Sequence, residues 1–161
     1  MTKKIYMLIG APAAGKSTWV EKEFQGECAI VSSDKIIDEI AFETSRTYDQ
    51  VFSTYMKVAE RMMWEDFDSC VSGGYSPIVV DRTNMSVKSR RRFFERLKNF
   101  HRGHGYEIHA VVFPLPEKEE WKSRLDSRPG KTIPQNVLDS MVSSFQMPTE
   151  QEGFTSVTPA F

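Results

Sequence analysis

The strongest chemical signal in this sequence is the run Gly10, Ala11, Pro12, Ala13, Ala14, Gly15, Lys16 and Ser17, extended by Thr18. It reads G-x-x-x-x-G-K-S. Glycines let a backbone curl until successive N–H groups point at one anion. A helix starting at the end of the run adds the partial positive charge of its N-terminus. Lys16 in this pattern reaches the β- and γ-phosphates of a nucleotide, and the Ser17 hydroxyl takes a place on Mg2+. The pattern points to nucleotide phosphate. It does not by itself separate a phosphotransferase from a GTPase or a motor.

Two carboxylates follow apolar runs. Asp34 comes after residues 28–32, and Asp81 comes after residues 78–80. In an open α/β sheet, ligands bind outside the carboxyl ends of the strands, which is also where the phosphate loop lies. Asp34 there can accept the proton of an attacking hydroxyl and orient it for in-line attack. The competing reading is a helix cap, supplied by Ser32, Ser33 or Asp34. Asp81 can hold a Mg2+ shell, directly or through water. Thr83 and Asn84, just after Arg82, offer hydroxyl and amide groups to an acceptor. The competing reading of that segment is a plain turn, which such residues favour.

Arg124 and Arg128 stand four residues apart, ahead of Pro129-Gly130-Lys131-Thr132-Ile133-Pro134. A helix continuing that far would place both guanidinium groups on one face. Glycine and proline mark a loop that hinges. Such a loop would bring positive charge over ATP phosphates and exclude water, the competing acceptor. The alternative is an exposed, charged helix end.

Net charge is −1, but residues 82–104 hold eight basic residues and a single acidic one, Glu95. A basic stretch in an otherwise acidic chain suggests a polyanionic partner, with Lys88, Arg90, Arg91 and Arg92 on acceptor phosphates. A solvated helix face would read the same way.

These groups need a frame. Residues 4–9, 28–32, 77–81 and 107–113 are short apolar runs, expected to be strands. Residues 154–157 are expected to form a last, edge strand. Helices are expected over 16–24, from 34 through 42, and over 47–71, 86–103, 117–126 and 135–145. Residues 127–134 are expected to be a loop. Strands alternating with helices predict a parallel sheet with helices on both faces. No apolar run approaches the roughly 20 residues that span a bilayer, and the N-terminus reads as a first strand and not as a signal peptide. Cys28 and Cys70 make no disulfide framework and are expected to be reduced.

Together these features resemble the polynucleotide 5′-hydroxyl kinase family, meaning the kinase domains of phage, bacterial and animal polynucleotide kinase-phosphatases. The resemblance covers nearly the whole chain. It rests on the phosphate loop, Ser33-Asp34, Asp81-Arg82-Thr83-Asn84, the two lid arginines and Ile133-Pro134. It extends to the tail Pro148-Thr149-Glu150-Gln151-Glu152-Gly153-Phe154. It implies a single P-loop kinase domain over residues 1–161, with a parallel sheet of four to five strands and an arginine-bearing lid. It implies ATP as donor, Mg2+, and the 5′-OH end of DNA or RNA as acceptor, in the cytoplasm or, for a viral protein, in the host cytosol or nucleus. Lys16, Asp34, Arg124 and Arg128 would be catalytic. Asp81, Arg82, Thr83, Asn84, Lys88 and Arg91 would face the acceptor.

Two departures stand out. Ile37 occupies the position, three after the base, where phage and bacterial relatives carry an acceptor-binding arginine. Animal-type domains lack that arginine too, and Lys35 or Arg82 are the candidate replacements. No D-x-D-G-T phosphatase signature occurs in this sequence, so the resemblance is to a kinase module without the 3′-phosphatase. Competing readings are a phosphotransferase of a small hydroxyl compound and a nucleotide- or RNA-binding module without turnover.

Overall fold

Alternation along the first strand sets up two cores. In β1 (Lys3–Ile9), Ile5, Met7 and Ile9 point to one side of the sheet and Tyr6 and Leu8 to the other, as the two-residue period of a strand requires. The computed structural model describes residues 2–161. β1 is central. It pairs with β3 (Ile78–Asp81) on one side and β4 (Tyr106–Val112) on the other. β2 (Ala29–Val31) and β5 (Ser156–Pro159) complete the order β2-β3-β1-β4-β5, with every pairing parallel.

Parallel neighbours need crossover connections, and helices supply them. α1 (Lys16–Phe24) covers the face of Leu8, Val79 and Val111, burying Val20 there with Trp19 and Phe24. The opposite face takes α2 (Ser33–Glu43), α3 (Tyr48–Ser72) and α4 (Val87–Leu97). In α3 the buried Ala59, Met63, Phe67 and Val71 recur every four residues, the stripe of a helix with one apolar side. Thr47 and Gln50 close its start with a capping box. α5 (Lys118–Asp126) buries no side chain fully, and α6 (Gln135–Ser143) buries only Leu138.

The expected architecture is present: a five-stranded parallel sheet with helices on both faces. Several boundaries shift, two of them for a visible physical reason. The basic helix expected over 86–103 ends at Leu97, where Asn99 and Phe100 donate to carbonyls only three residues back and the chain enters a 3-10 turn, His101–Gly105. The last strand begins two residues late because Phe154 is buried against Phe94 instead of pairing. As an edge strand, β5 accommodates Pro159, which has no N–H to donate. Both cysteines are free and partly buried. No helix among the described residues is long and apolar enough to cross a membrane.

Candidate active site

The loop between β1 and α1 is anchored at its base by Gly10 N–H donating to the Thr83 carbonyl at 3.0 Å. Gly15 then caps α1 with φ of 95°, a left-handed conformation that other residues adopt at a cost. Lys16 curls back, its ammonium donating to the carbonyls of Gly10 at 2.7 Å and Ala11 at 2.9 Å. Burial holds its pKa down to about 8, with Asp81 and Asp34 opposing that shift. Ser17 and Thr18 are exposed at the mouth of a cleft of about 1140 Å³.

Asp34 lines the same cleft. The cap of α2 is Ser32, whose hydroxyl accepts from the Lys35 N–H at 3.2 Å. The capping role is therefore filled, and the Asp34 carboxylate is left for other partners. Tyr48, at the start of α3, donates its hydroxyl to Asp34 Oδ1 at 2.6 Å, and Lys131 Nζ lies 3.7 Å from Oδ2. Burial, then the hydrogen bond to Asp34, push the Tyr48 phenol far above its ordinary pKa, so it stays a donor. Asp81 ends β3 facing Lys16; burial raises its pKa and the lysine opposes the rise.

The lid residues arrive by a different route from the one expected. α5 stops at Asp126, so Arg128 is not on a continued helix. A turn instead brings it to the cleft, which Arg124 also lines. Arg124 donates to the Ala13 carbonyl at 3.2 Å and to Glu120 at 2.7 Å. Arg128 Nε and one terminal nitrogen are buried with no hydrogen-bond partner among the described residues. A buried guanidinium without a partner is costly, and a nucleotide phosphate in the cleft would supply the missing acceptors. The curled loop, Lys16 and Arg128 thus fit a bound nucleotide. For Mg2+, no cluster of three or more acidic, histidine or cysteine side chains occurs among the described residues. Ser17 with Asp81 suits an ion that keeps several waters and takes its other ligands from phosphate.

Several expected acceptor contacts are corrected. Asn84 is 4% exposed, with a positive φ, and its amide donates to the Leu8 carbonyl at 2.8 Å. It braces the end of β1 and does not face the cleft. Arg90 is wholly buried. It donates to both Glu152 carboxylate oxygens and to the carbonyls of Asn84, Met85 and Gln146. Arg92 pairs with Glu60 at 3.2 Å and lies over the Trp64 ring, and Arg96 makes a two-pronged bond to Asp68. The basic run is therefore opposed in space by acids from α3 and the tail, not only by Glu95. Lys88 and Arg91 are exposed on α4, outside the cleft lining, whereas Arg82 and Thr83 line it. Ile37 is fully buried in the core, so that position presents nothing to an acceptor, while Lys35 does line the cleft.

Sequence reasoning missed three members of the site. Tyr48 falls among the apolar positions at the start of α3, and Lys131 lies inside the Gly/Pro loop. Trp121, unremarked, ties α5 to the phosphate loop by donating to the Pro12 carbonyl at 2.7 Å. The burial of Arg90 did have a signal: it precedes Phe93 by three residues and Leu97 by seven, on the apolar stripe of its helix.

Known proteins agree with this frame. Residues 5–148 match the AAA domain family. The bifunctional polynucleotide phosphatase/kinase of Schizosaccharomyces pombe is 24% identical over 160 residues, covering 96% of this chain and 33% of that protein. The chain thus spans about a third of the length of that curated relative. A candidate kinase from Chloroflexus aurantiacus superposes with a TM-score of 0.69 at 18% identity, covering 99% of this chain and 88% of the other. A sugar kinase from Janibacter sp. gives 0.56 at 18% identity, covering 99% and 86%. These two likenesses establish the fold. With its phosphate loop seated between β1 and α1 and most of its length matched, the chain belongs to the AAA domain family.

Proposed function

We propose that this protein transfers the γ-phosphate of ATP to the 5′-hydroxyl of a polynucleotide. The observation that carries the reading is the Asp34 carboxylate, released from capping by Ser32 and lining one cleft with Lys16 and Arg128. In the proposed reaction the 5′-hydroxyl oxygen attacks the γ-phosphorus while its proton passes to Asp34. The bond from the γ-phosphorus to the bridging oxygen breaks, and ADP leaves. Lys16 and Arg128 hold charge that builds on the phosphoryl oxygens, and Arg124 stiffens the loop through Ala13. Ser17 and Asp81 would hold Mg2+, which would supply neutralisation of phosphate charge. Lys35, exposed in the cleft lining, and Arg82, which also lies 3.9 Å from Glu60, are the cations we assign to an acceptor phosphate. The likeness to the S. pombe polynucleotide phosphatase/kinase supports this acceptor class.

A second reading, transfer to a small hydroxyl compound, is favoured by one observation. Arg90, Arg92 and Arg96 are paired within the protein, so α4 offers a polyanion less charge than its composition suggests. The test is incubation with γ-labelled ATP and Mg2+ against 5′-hydroxyl oligonucleotides and, in parallel, sugars and nucleosides, with Lys16→Ala as the inactive control. Label on oligonucleotides alone is the expected result. Label confined to the small compounds replaces the first reading by the second, and label on neither overturns both.

A further inference from the structure

The loop after α5 is seated on the first turn of α3 by contacts that also reach Asp34. Asp49 N–H donates to the Gly130 carbonyl at 2.9 Å, and Thr132 N–H donates to the Asp49 carboxylate at 3.0 Å. Gly130 has φ of 69°, and a Cβ there would lie 2.6 Å from the Thr47 Cβ. Only glycine lets the loop come this close. Between those contacts, Lys131 extends over the Tyr48 ring, 4.2 Å from its centre, to within 3.7 Å of Asp34 and 3.9 Å of Asp38. The Lys131 side chain is 17% exposed, against 59% for Asp34. Tyr48 in turn stacks on Phe52 and donates to Asp34. One carboxylate oxygen is thus set by the helix and the other faces a cation carried on the loop.

We propose that Tyr48 and Lys131 are positioning residues for Asp34, and that they make its orientation depend on the seating of residues 128–132 against the start of α3. This rests on the reading of Asp34 as the base. The same stretch of chain carries Arg128 into the cleft. Seating the loop therefore sets the guanidinium on the donor side and the carboxylate on the acceptor side in one event. A hydroxyl reaching Asp34 meets a base already oriented by the phenol, with the Lys131 ammonium 3.7 Å from the second carboxylate oxygen. When the loop lifts, both catalytic groups lose their placement together, which restrains transfer to water from an open cleft.

The experiment has two arms on the full chain. In the first, amide hydrogen exchange is followed at Asp49 and at residues 130–132, with β1 amides as internal reference. Lys131→Met should speed exchange there about 10-fold, the scale of losing a charge-assisted contact, and Lys131→Arg should restore protection. Asp34→Asn, at the far end of the contact, should also speed it. Unchanged exchange in Asp34→Asn would show that base and loop are not coupled. In the second arm, Tyr48→Phe keeps the ring stack and removes only the donor. Its kcat should fall on the order of 10-fold, with KM for ATP and the melting temperature held. An unchanged kcat overturns the positioning role. A wild-type protein that labels no acceptor would instead refute the proposed transfer, and the exchange arm alone would then decide whether loop and carboxylate move together.

Discussion

Arg90 and Arg128 are the same side chain under opposite conditions. Arg90 is wholly buried on α4, and its guanidinium meets two carboxylate oxygens and three carbonyls. Arg128 reaches the cleft with two nitrogens buried and without an acceptor among the described residues. Around Arg90, Arg92 and Arg96 the acids of α3 and the tail close every account within the fold. In the cleft, Lys16 is held by carbonyls and depressed by burial, and Asp34 keeps more than half of its surface open. The contrast teaches that a count of basic residues does not measure the positive field offered to a ligand. What matters is which cations the fold has already neutralised.

The sharpest way to break the comparison is at Asp34. Asp34→Asn keeps the size of the side chain, and Ser32 retains the cap, so the melting temperature and ATP affinity should hold. kcat on a 5′-hydroxyl acceptor should drop roughly 10²-fold or more. An active variant, measured alongside a melting curve and calorimetry, would remove the base from the mechanism.

Next come the two arginine sites themselves. Glu152→Ala strands Arg90 as an uncompensated buried charge and should cost about 3–5 kcal/mol in denaturant unfolding. Arg128→Met should leave stability unchanged or raised while lowering kcat on the order of 10²-fold. If Arg128→Met destabilises the protein as much as Glu152→Ala does, Arg128 belongs to the scaffold and the contrast fails.

A smaller effect concerns protons. Burial places the Lys16 pKa near 8 in the free protein, and phosphate favours its charged form. Nucleotide binding between about pH 8 and 10 should therefore take up a proton, seen as a buffer-dependent heat in calorimetry and absent from Lys16→Met. The folded value lies below the lysine reference of 10.5, so the unfolded chain binds more protons in this window. Wild-type stability relative to Lys16→Met should then rise as pH climbs from 8 to 10. A pH-independent difference would contradict the depressed lysine.

The smallest expected effect is on α4. Lys88 and Arg91 are its exposed basic residues ahead of Arg92, outside the cleft lining. If they meet an oligonucleotide's backbone, replacing both by Gln should lower the salt slope of log KM by about 1–2, near 0.7–0.9 per contact. No change in slope would place them with the rest of α4, as scaffold and solvated surface.

Much of this was legible before folding. The phosphate loop, the alternation of strands and helices and the two strand-end carboxylates follow from spacing, because each depends on residues within a turn or two of one another. The cap at α2 was narrowed to three residues, and the structure chose Ser32. The acceptor side was read less well. Asn84 was expected to face an acceptor, yet its amide is held by a carbonyl 76 positions away. Arg90 was expected on phosphate, yet its counter-ion lies 62 positions downstream.

Sequence pattern therefore set the parallel sheet, the phosphate loop at its centre and the end of the sheet that the loop occupies. Those features arise from local periodicity, glycine placement and the fixed polarity of strands and helices. Tertiary structure alone decided which charges remain free. Whether an arginine or a carboxylate acts on a ligand depends on the partners brought to it across the chain and on its exposure to water. Glu152 neutralises Arg90 inside the fold, while two Arg128 nitrogens stay buried without an acceptor among the described residues and Asp34 is contacted by Tyr48 and Lys131.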